Sequence, residues 1–313
     1  MPLLTLSQIG KSYGAEIILQ NISLQMQPGE IAGLIGPNGS GKTTLLRIIA
    51  GELEADKGEI HLTRDAKIGY LPQQPQAIKE NTLRDHLEYP LRHILNLQAE
   101  IVSLEKEIST RAEKEGRSPE KLLNHYAEVT TRFEQEKGYQ VESKLNGIAR
   151  GLGFVEEDFS RPLSGFSGGE KTRARLAGLL LQDLDLLLLD EPTNFLDLKA
   201  LQWLEKYLRD LSSAVLVVSH DRYFLDRIAG KIFALQGHQI KSYSGNYSSY
   251  QHKLEHERLI HDREYKKMQL IRTREERLVR EAKADERSKR QARSRQKRLE
   301  KLDLPDQFAD PAK

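Results

Sequence analysis

Nine consecutive residues carry types that could hold a polyphosphate: Gly36, Pro37, Asn38, Gly39, Ser40, Gly41, Lys42, Thr43 and Thr44. Positions 36–43 fit G-x-x-x-x-G-K-[ST], in which glycines let successive backbone N–H groups close around phosphate oxygens. Lys42 would put a point charge at the β- and γ-phosphates, and the Thr43 hydroxyl would ligate Mg²⁺. Farther along, an apolar run at 184–189 ends in Asp190-Glu191. Two carboxylates side by side repel. The pair makes sense if Asp190 faces a phosphate-bound Mg²⁺ and Glu191 faces the water to be activated. A second apolar run, 214–218, delivers His220, which could contact a γ-phosphate or serve as an ordinary structural histidine. Ser167-Gly168-Gly169, followed by Glu170, opens a helix whose N-terminus favours anions, although Ser and Gly also mark plain turns. Gln73, at the end of a short strand pattern, could reach a Mg²⁺ or the attacking water. Tyr13 could stack on a nucleobase or pack at the edge of a small sheet.

These groups need elements to hold them. Residues 31–35 are expected to enter the loop as a buried strand, and 45–50 to leave it as a helix with Gly51 as C-cap. A glycine-rich turn with no ligand would not require strand, lysine, hydroxyl and helix in that order. Before the loop, 4–9 alternates, and 17–19 and 22–26 are short strand patterns bracketing turns; after it, 58–62 and 67–71 are further strands. From 83 to 152 the periodicity is helical, through Leu87, Leu91, Ile94, Leu95, Gln98, Ile101, Leu104 and Ile108. Gly116 and Pro119 interrupt it, and a second pattern runs through Leu122, Tyr126, Val129, Phe133 and Tyr139. Two amphipathic helices joined by a polar turn describe either a projecting arm or a helical subdomain folded into the body. Helices are further expected over 174–181 and 200–211, the second after a turn containing Asn194, Phe195 and Asp197.

The chain has 313 residues, enough for one large or two ordinary domains, and no cysteine, which fits a reducing, cytoplasmic setting. No apolar run approaches the roughly 18–20 residues of a membrane-spanning helix, and the first residues lack the pattern of a signal peptide. Charge is uneven. Residues 248–313 hold 19 Lys/Arg against 13 Asp/Glu, net +6, leaving 29 against 33 and net −4 on 1–247. An acidic body with a basic tail suggests a polyanionic partner for the tail.

Taken together, the loop at 36–43, Gln73, Ser167-Gly168-Gly169, Asp190-Glu191, the turn 194–197 and His220 resemble, in order and over about 230 residues, the ATP-binding cassette ATPases. Local features at 170–173, 190–194, 219–226 and 243–247 are most similar to the ABC-F subfamily, whose members act on the ribosome without a membrane domain. The resemblance implies an α/β P-loop NTPase fold: a parallel-rich core sheet, a small antiparallel β subdomain and an α-helical subdomain, followed by a long charged helical extension. It implies MgATP as the bound nucleotide, with Tyr13 on the adenine and Lys42 and Thr43 on phosphates and Mg²⁺. Gln73 and Asp190 would support metal and water, Glu191 would be the general base, and His220 the γ-phosphate sensor. Ser167 and Gly169 would touch ATP bound by an opposing cassette, with Asp197 lining that interface. Phe166 stands where Leu is commoner, and Phe195 where His is frequent.

On this reading 1–247 is a cassette with its helical arm at about 83–160, 248–303 a basic helical linker and 304–313 a polar tail. No second phosphate loop or Ser-Gly-Gly motif occurs, so a second cassette must complete the site, either from a missing C-terminal half or from another copy. The tail has a sparse apolar stripe through Leu254, Met268, Ile271, Leu278, Ala282, Ala292 and Leu299, and its stretch 287–298 contains no acidic residue. It is expected to be one or two long helices, either solvated or contacting tRNA and rRNA backbones on the ribosome, as the resemblance suggests. The alternatives are an ATPase subunit docked on a membrane permease and a non-catalytic nucleic-acid binder.

Overall fold

The computed structural model describes residues 1–73, 81–115 and 120–284. Two sheets form its frame. Strands β1 (Leu4–Tyr13), β2 (Glu16–Met26) and β4 (Lys57–Leu62) make an antiparallel sheet in the order β2-β1-β4. The second sheet, of six strands, adds β3 (Ile31–Ile35), β5 (Ile68–Leu71), β6 (Leu186–Asp190), β7 (Ala214–Val218), β8 (Lys231–Gln236) and β9 (Gln239–Ser244), in the order β5-β6-β7-β3-β8-β9. Every pairing in it is parallel except β8 with β9.

The apolar run in β6 explains itself in this sheet. Successive side chains point to opposite faces. Leu187 and Leu189 pack with the helical layer, whereas Leu186 and Leu188 pack with α1 (Lys42–Ile49) and the antiparallel sheet. Both faces are covered, so the strand needs no polar alternation. The helical layer comprises α2 (Leu83–Glu88), α3 (Arg92–Glu115), α4 (Glu120–Gln135), α5 (Val141–Gly151) and α6 (Gly168–Leu181). Helices α7 (Leu198–Asp210) and α8 (Arg222–Ile228) connect the later strands. Helix α9 (Tyr247–Ala284) begins with Tyr247, Tyr250 and Leu254 buried in the main core cluster, so its first two turns are part of the body.

Several local expectations are corrected. The two strand patterns before the loop are one strand, β2, with Asn21 in the left-handed region (φ 54) where the register shifts. The first helical pattern in 83–152 is divided by a 3-10 turn at Tyr89–Leu91 that contains Pro90, whose ring cannot continue a helix. The second ends at Gln135, so Tyr139 lies in a 3-10 turn rather than on the helix, with its ring edge against Phe133 at 5.0 Å. Helix α6 starts at Gly168 rather than 174, because Ser167 and Glu170 form a reciprocal capping box. Strands β8 and β9 were unanticipated, although Gly237-His238 between two alternating runs is a hairpin signal. Gly116 and Pro119 lie outside the described residues, as do the tail beyond 284 with Ala292 and Leu299 and the stretch 287–298.

Candidate active site

The chain leaves β3 through the phosphate loop, crosses to the sheet edge at β5, and works back through β6 and β7 before β8 joins the far side of β3. That reversal of strand order creates a crevice at the carboxyl ends of the parallel strands. A cleft of about 480 Å³ opens there. From the loop and α1 it is lined by Asn38, Gly39, Gly41, Lys42, Thr43 and Thr44. The ends of β5, β6 and β7 contribute Gln73, Asp190, Glu191, Val218 and His220, and β2 contributes Ile18.

Gly41 caps α1 in the left-handed region (φ 99), and a Cβ there would stand 2.7 Å from the Ile18 methyl. Glycine thus lets the loop turn beneath β2 and aim the helix N-terminus into the cleft. Lys42 is buried, and its ammonium donates to the carbonyls of Gly36 at 2.8 Å and Pro37 at 2.9 Å. Burial pulls its pKa down, while Glu191 and Asp190 oppose that shift. The Thr43 hydroxyl donates to Asp190 Oδ2 at 2.7 Å, joining helix and strand 147 positions apart. Asp190 is buried, which pushes its pKa up against the restraining Thr43 bond and Lys42 charge.

Glu191 follows Asp190 in the left-handed region, φ 54 and ψ 54. Such backbone is unusual for a non-glycine residue and turns its side chain away from the strand direction. Its N–H donates to the Val218 carbonyl at 2.9 Å, and Oε2 accepts from the His220 N–H at 3.3 Å. Oε1 is buried with no hydrogen bond, 3.4 Å from His220 Nε2. Burial raises the Glu191 pKa, with His220 as the largest opposing influence. A buried carboxylate with one free lone-pair-bearing oxygen and a raised pKa is suited to accept a proton.

The fit to Mg²⁺ rests on donor chemistry. Thr43 Oγ1 and Asp190 Oδ2 are hard oxygens already in contact, and the Gln73 amide shares their cleft. Mg²⁺ commonly takes one or two such protein ligands together with water and substrate phosphates.

Six predicted residues lie elsewhere. Tyr13 ends β1 with its ring half exposed, and Lys11 Nζ sits 5.9 Å from the ring centroid. Ser167 and Gly168 are exposed at the N-terminus of α6, with Gly169 and Glu170 half-buried behind them. The Ser167 hydroxyl accepts from Glu170 N–H at 3.3 Å, and Glu170 Oε2 accepts from Ser167 N–H at 2.8 Å. Asp197 is an exposed N-cap of α7, accepting from Ala200 N–H at 2.8 Å. Gly36, Pro37 and Ser40 form the body of the loop rather than the cleft lining. Conversely, Ile18 and Val218 line the cleft without having been singled out, since an apolar residue in a strand pattern carries no chemical signal.

A family model described as ABC transporter matches residues 19–194, and a second model with the same description matches 233–312. The chain is 37% identical, over 97% of its length, to the ATP-binding protein YdiF of Bacillus subtilis, of which it covers 47%. It is 36% identical over 79% of its length to the tylosin resistance ATP-binding protein TlrC of Streptomyces fradiae, covering 45% of that protein. To the energy-dependent translational throttle protein EttA of Escherichia coli it is 37% identical over 79% of its length, covering 43%. The chain thus spans about half the length of the curated relatives it matches. Among solved structures, the ATP binding subunit of an ABC transporter superposes with a TM-score of 0.57 at 21% identity, over 77% of this chain and 90% of that one. The match at 19–194 takes in more than half of the sequence and runs from Ile18's neighbour through the phosphate loop to the Asp190-Glu191 turn, and on that ground the chain belongs to the ATP-binding cassette ATPases of the ABC transporter family.

Proposed function

We propose that this chain binds MgATP in the cleft at Lys42, Thr43, Gln73, Asp190, Glu191 and His220 and hydrolyses it once a second cassette closes the site. The single observation that carries this is spatial. The phosphate loop and both carboxylates share one cleft, whereas Ser167, Gly168 and Gly169 form a separate capped helix end that takes no part in lining it. A chain with two non-equivalent faces of this kind is completed by pairing head to tail with another cassette.

Within the site, Lys42 would leave its carbonyl partners to meet phosphate oxygens, and Thr43 and Asp190 would hold Mg²⁺, which would supply neutralisation of the charge that develops on the phosphates during transfer. Glu191 Oε1 accepts a proton from the attacking water, and His220 orients that carboxylate through its N–H and faces the γ-phosphate. Tyr13 stacks on the adenine, Ser167 and Gly169 meet the nucleotide bound by the partner cassette, and Asp197 lines that interface. Replacing Glu191 by Gln keeps the shape and removes the proton acceptor. Steady-state turnover with a partner cassette is expected to fall at least a hundredfold while nucleotide binding persists; unchanged turnover would remove Glu191 from the role of base.

We further propose an ABC-F-type action, in which ATP-driven closure and release are transmitted through the basic segment 248–303 to tRNA and rRNA on the ribosome. The likeness to EttA and TlrC, the local motifs at 170–173 and 219–226, and the net charge of +6 on 248–313 support this reading. It is a cytoplasmic role. Among the described residues no helix is long and apolar enough to cross a membrane. A transporter ATPase subunit is the rival, favoured by the description of the matching family models. Nucleotide-dependent co-sedimentation of the Glu191→Gln chain with ribosomes supports the first reading, and co-purification with a permease the second.

A further inference from the structure

A second cavity, about 1080 Å³ against about 480 Å³ for the nucleotide cleft, lies at the opposite ends of the strands. It begins at Lys67 and Ile68, where β5 starts, and shares no lining residue with the cleft at the strands' carboxyl ends. Its other walls come from the base of α3, the connection from α4 into α5, and the end of α6. A concave site between a core sheet and a helical layer, with volume near the upper end of the ligand-pocket range, is where small molecules commonly bind.

The lining has two characters. Leu91, Ile94 and Leu184 give an apolar floor, and Lys67, Lys137 and Lys144 bring three ammonium groups from three separate elements. Of the two carboxylates on the wall, Glu136 lies 2.6 Å from His93 Nε2, while Asp183 favours the charged form of Lys144 without forming an ion pair with it. Among the described residues neither the Lys67 nor the Lys137 ammonium forms an ion pair, while the Lys67 backbone N–H donates to Asp185 Oδ2 at 2.8 Å. The Lys144 ammonium donates to the Leu181 carbonyl at 3.2 Å, and burial pulls its pKa below the ordinary lysine value. All three lysines are exposed residues, so an anion would meet their ammonium groups at the rim of the cavity. Lys137 follows α4 in the left-handed region, φ 55 and ψ 36, the conformation that commonly closes a helix and that glycine adopts with least strain; its N–H donates to the Glu134 carbonyl at 2.9 Å.

We propose that this cavity is a second ligand site, distinct from the nucleotide cleft, for an organic anion with an apolar body. The acid group is held by Lys137 and Lys144, with Lys67 at the mouth, and the body lies on Leu91, Ile94 and Leu184. A ligand there touches the core strand β5 and the helical layer together, so it braces one against the other. The site does not depend on which partner or process the ATPase serves.

The probe is 8-anilinonaphthalene-1-sulfonate, a sulfonate on an aromatic body, titrated into the full chain and followed by fluorescence. Laurate and dodecyl phosphate serve as competitors, and their ranking tells a carboxylate from a phosphate head group. The expected result is saturable binding at one probe per chain, displaced by at least one competitor, retained in Lys42→Ala and insensitive to MgATP. Lys137→Gly combined with Lys144→Met should weaken the affinity at least tenfold. Lys137→Gly alone should weaken it while thermal stability stays level or rises, because the strain is relieved as the cation is lost. Absence of saturable binding, an affinity unchanged in the double variant, or loss of the probe in Lys42→Ala would each overturn the proposal.

Discussion

Glu191 concentrates several costs in one residue: left-handed backbone, a buried carboxylate, an oxygen without a hydrogen bond, and Asp190 next to it. Burial raises its pKa, and the sign of the consequence follows from linkage. A carboxyl whose folded pKa lies above its unfolded one binds more protons in the native state, so stability falls as pH rises between the two values. Above the folded pKa the penalty is fully present; below the unfolded pKa it vanishes. Glu191→Gln carries no charge to bury. In the nucleotide-free chain it is expected to melt at a higher temperature than the parent at pH 8, and the difference should shrink as the pH is lowered through the carboxylate range. A gain that persisted unchanged at acid pH would place its origin in packing instead. Lys42 and Asp190 share the same economy of buried charge, each shifted by burial and each restrained by the other.

At the scale of elements, what matters is how α6, with Ser167 at its cap, is held relative to the cleft. Trp203 on α7 stacks with Tyr207 at 5.0 Å, and the Tyr207 hydroxyl donates to the Leu180 carbonyl in α6 at 3.0 Å. The indole also lies flat on Gly151 at the end of α5, where an added Cβ would come within 2.1 Å of it. Helices α5, α6 and α7 therefore meet at one aromatic contact. Gly151→Ala should force Trp203 out and destabilise the chain by roughly 1–3 kcal/mol, the usual range for overpacking. Trp203 is the single tryptophan, so a red shift of intrinsic fluorescence reads the displacement directly. An unshifted spectrum with parental stability would show that the contact can relax. The same reasoning explains why α6 begins at its capping box: the Ser167 hydroxyl and Glu170 carboxylate satisfy N–H groups that the first turn leaves open.

For the whole molecule, the separation of Ser167 from the Lys42 cleft makes activity a question of association. If two faces from two cassettes build each site, turnover per chain rises with protein concentration in the dilute range before levelling, as mass action requires. Dilution series of the purified chain, alone and with a second cassette added, measure this. Turnover per chain that is independent of concentration throughout would indicate a site complete within one chain. The body and the extension differ in the same sense. Tyr247, Tyr250 and Leu254 anchor α9 in the core, whereas Leu259, Ile260 and Leu270 farther along are exposed, so among the described residues the core anchor of α9 lies in its first two turns.

The residue order alone determined the phosphate loop, the strand-borne Asp190-Glu191 pair and the helix behind Lys42, because each depends on spacing over a few positions and on chemistry that only certain side chains possess. Alternation and apolar runs also fixed β3, β6 and β7 nearly to their ends. Three things were left to the tertiary structure. It chose which strands are neighbours, and so brought Gln73, Asp190 and His220 to one crevice across long stretches of chain. It merged 17–19 with 22–26 into a single bulged strand, since pairing with β1 outweighs local turn preference at Asn21. And it kept Ser167 and Asp197 out of the cleft that Lys42 commands, for the packing of α6 against the helical layer, which no local pattern encodes, decides where that helix end points.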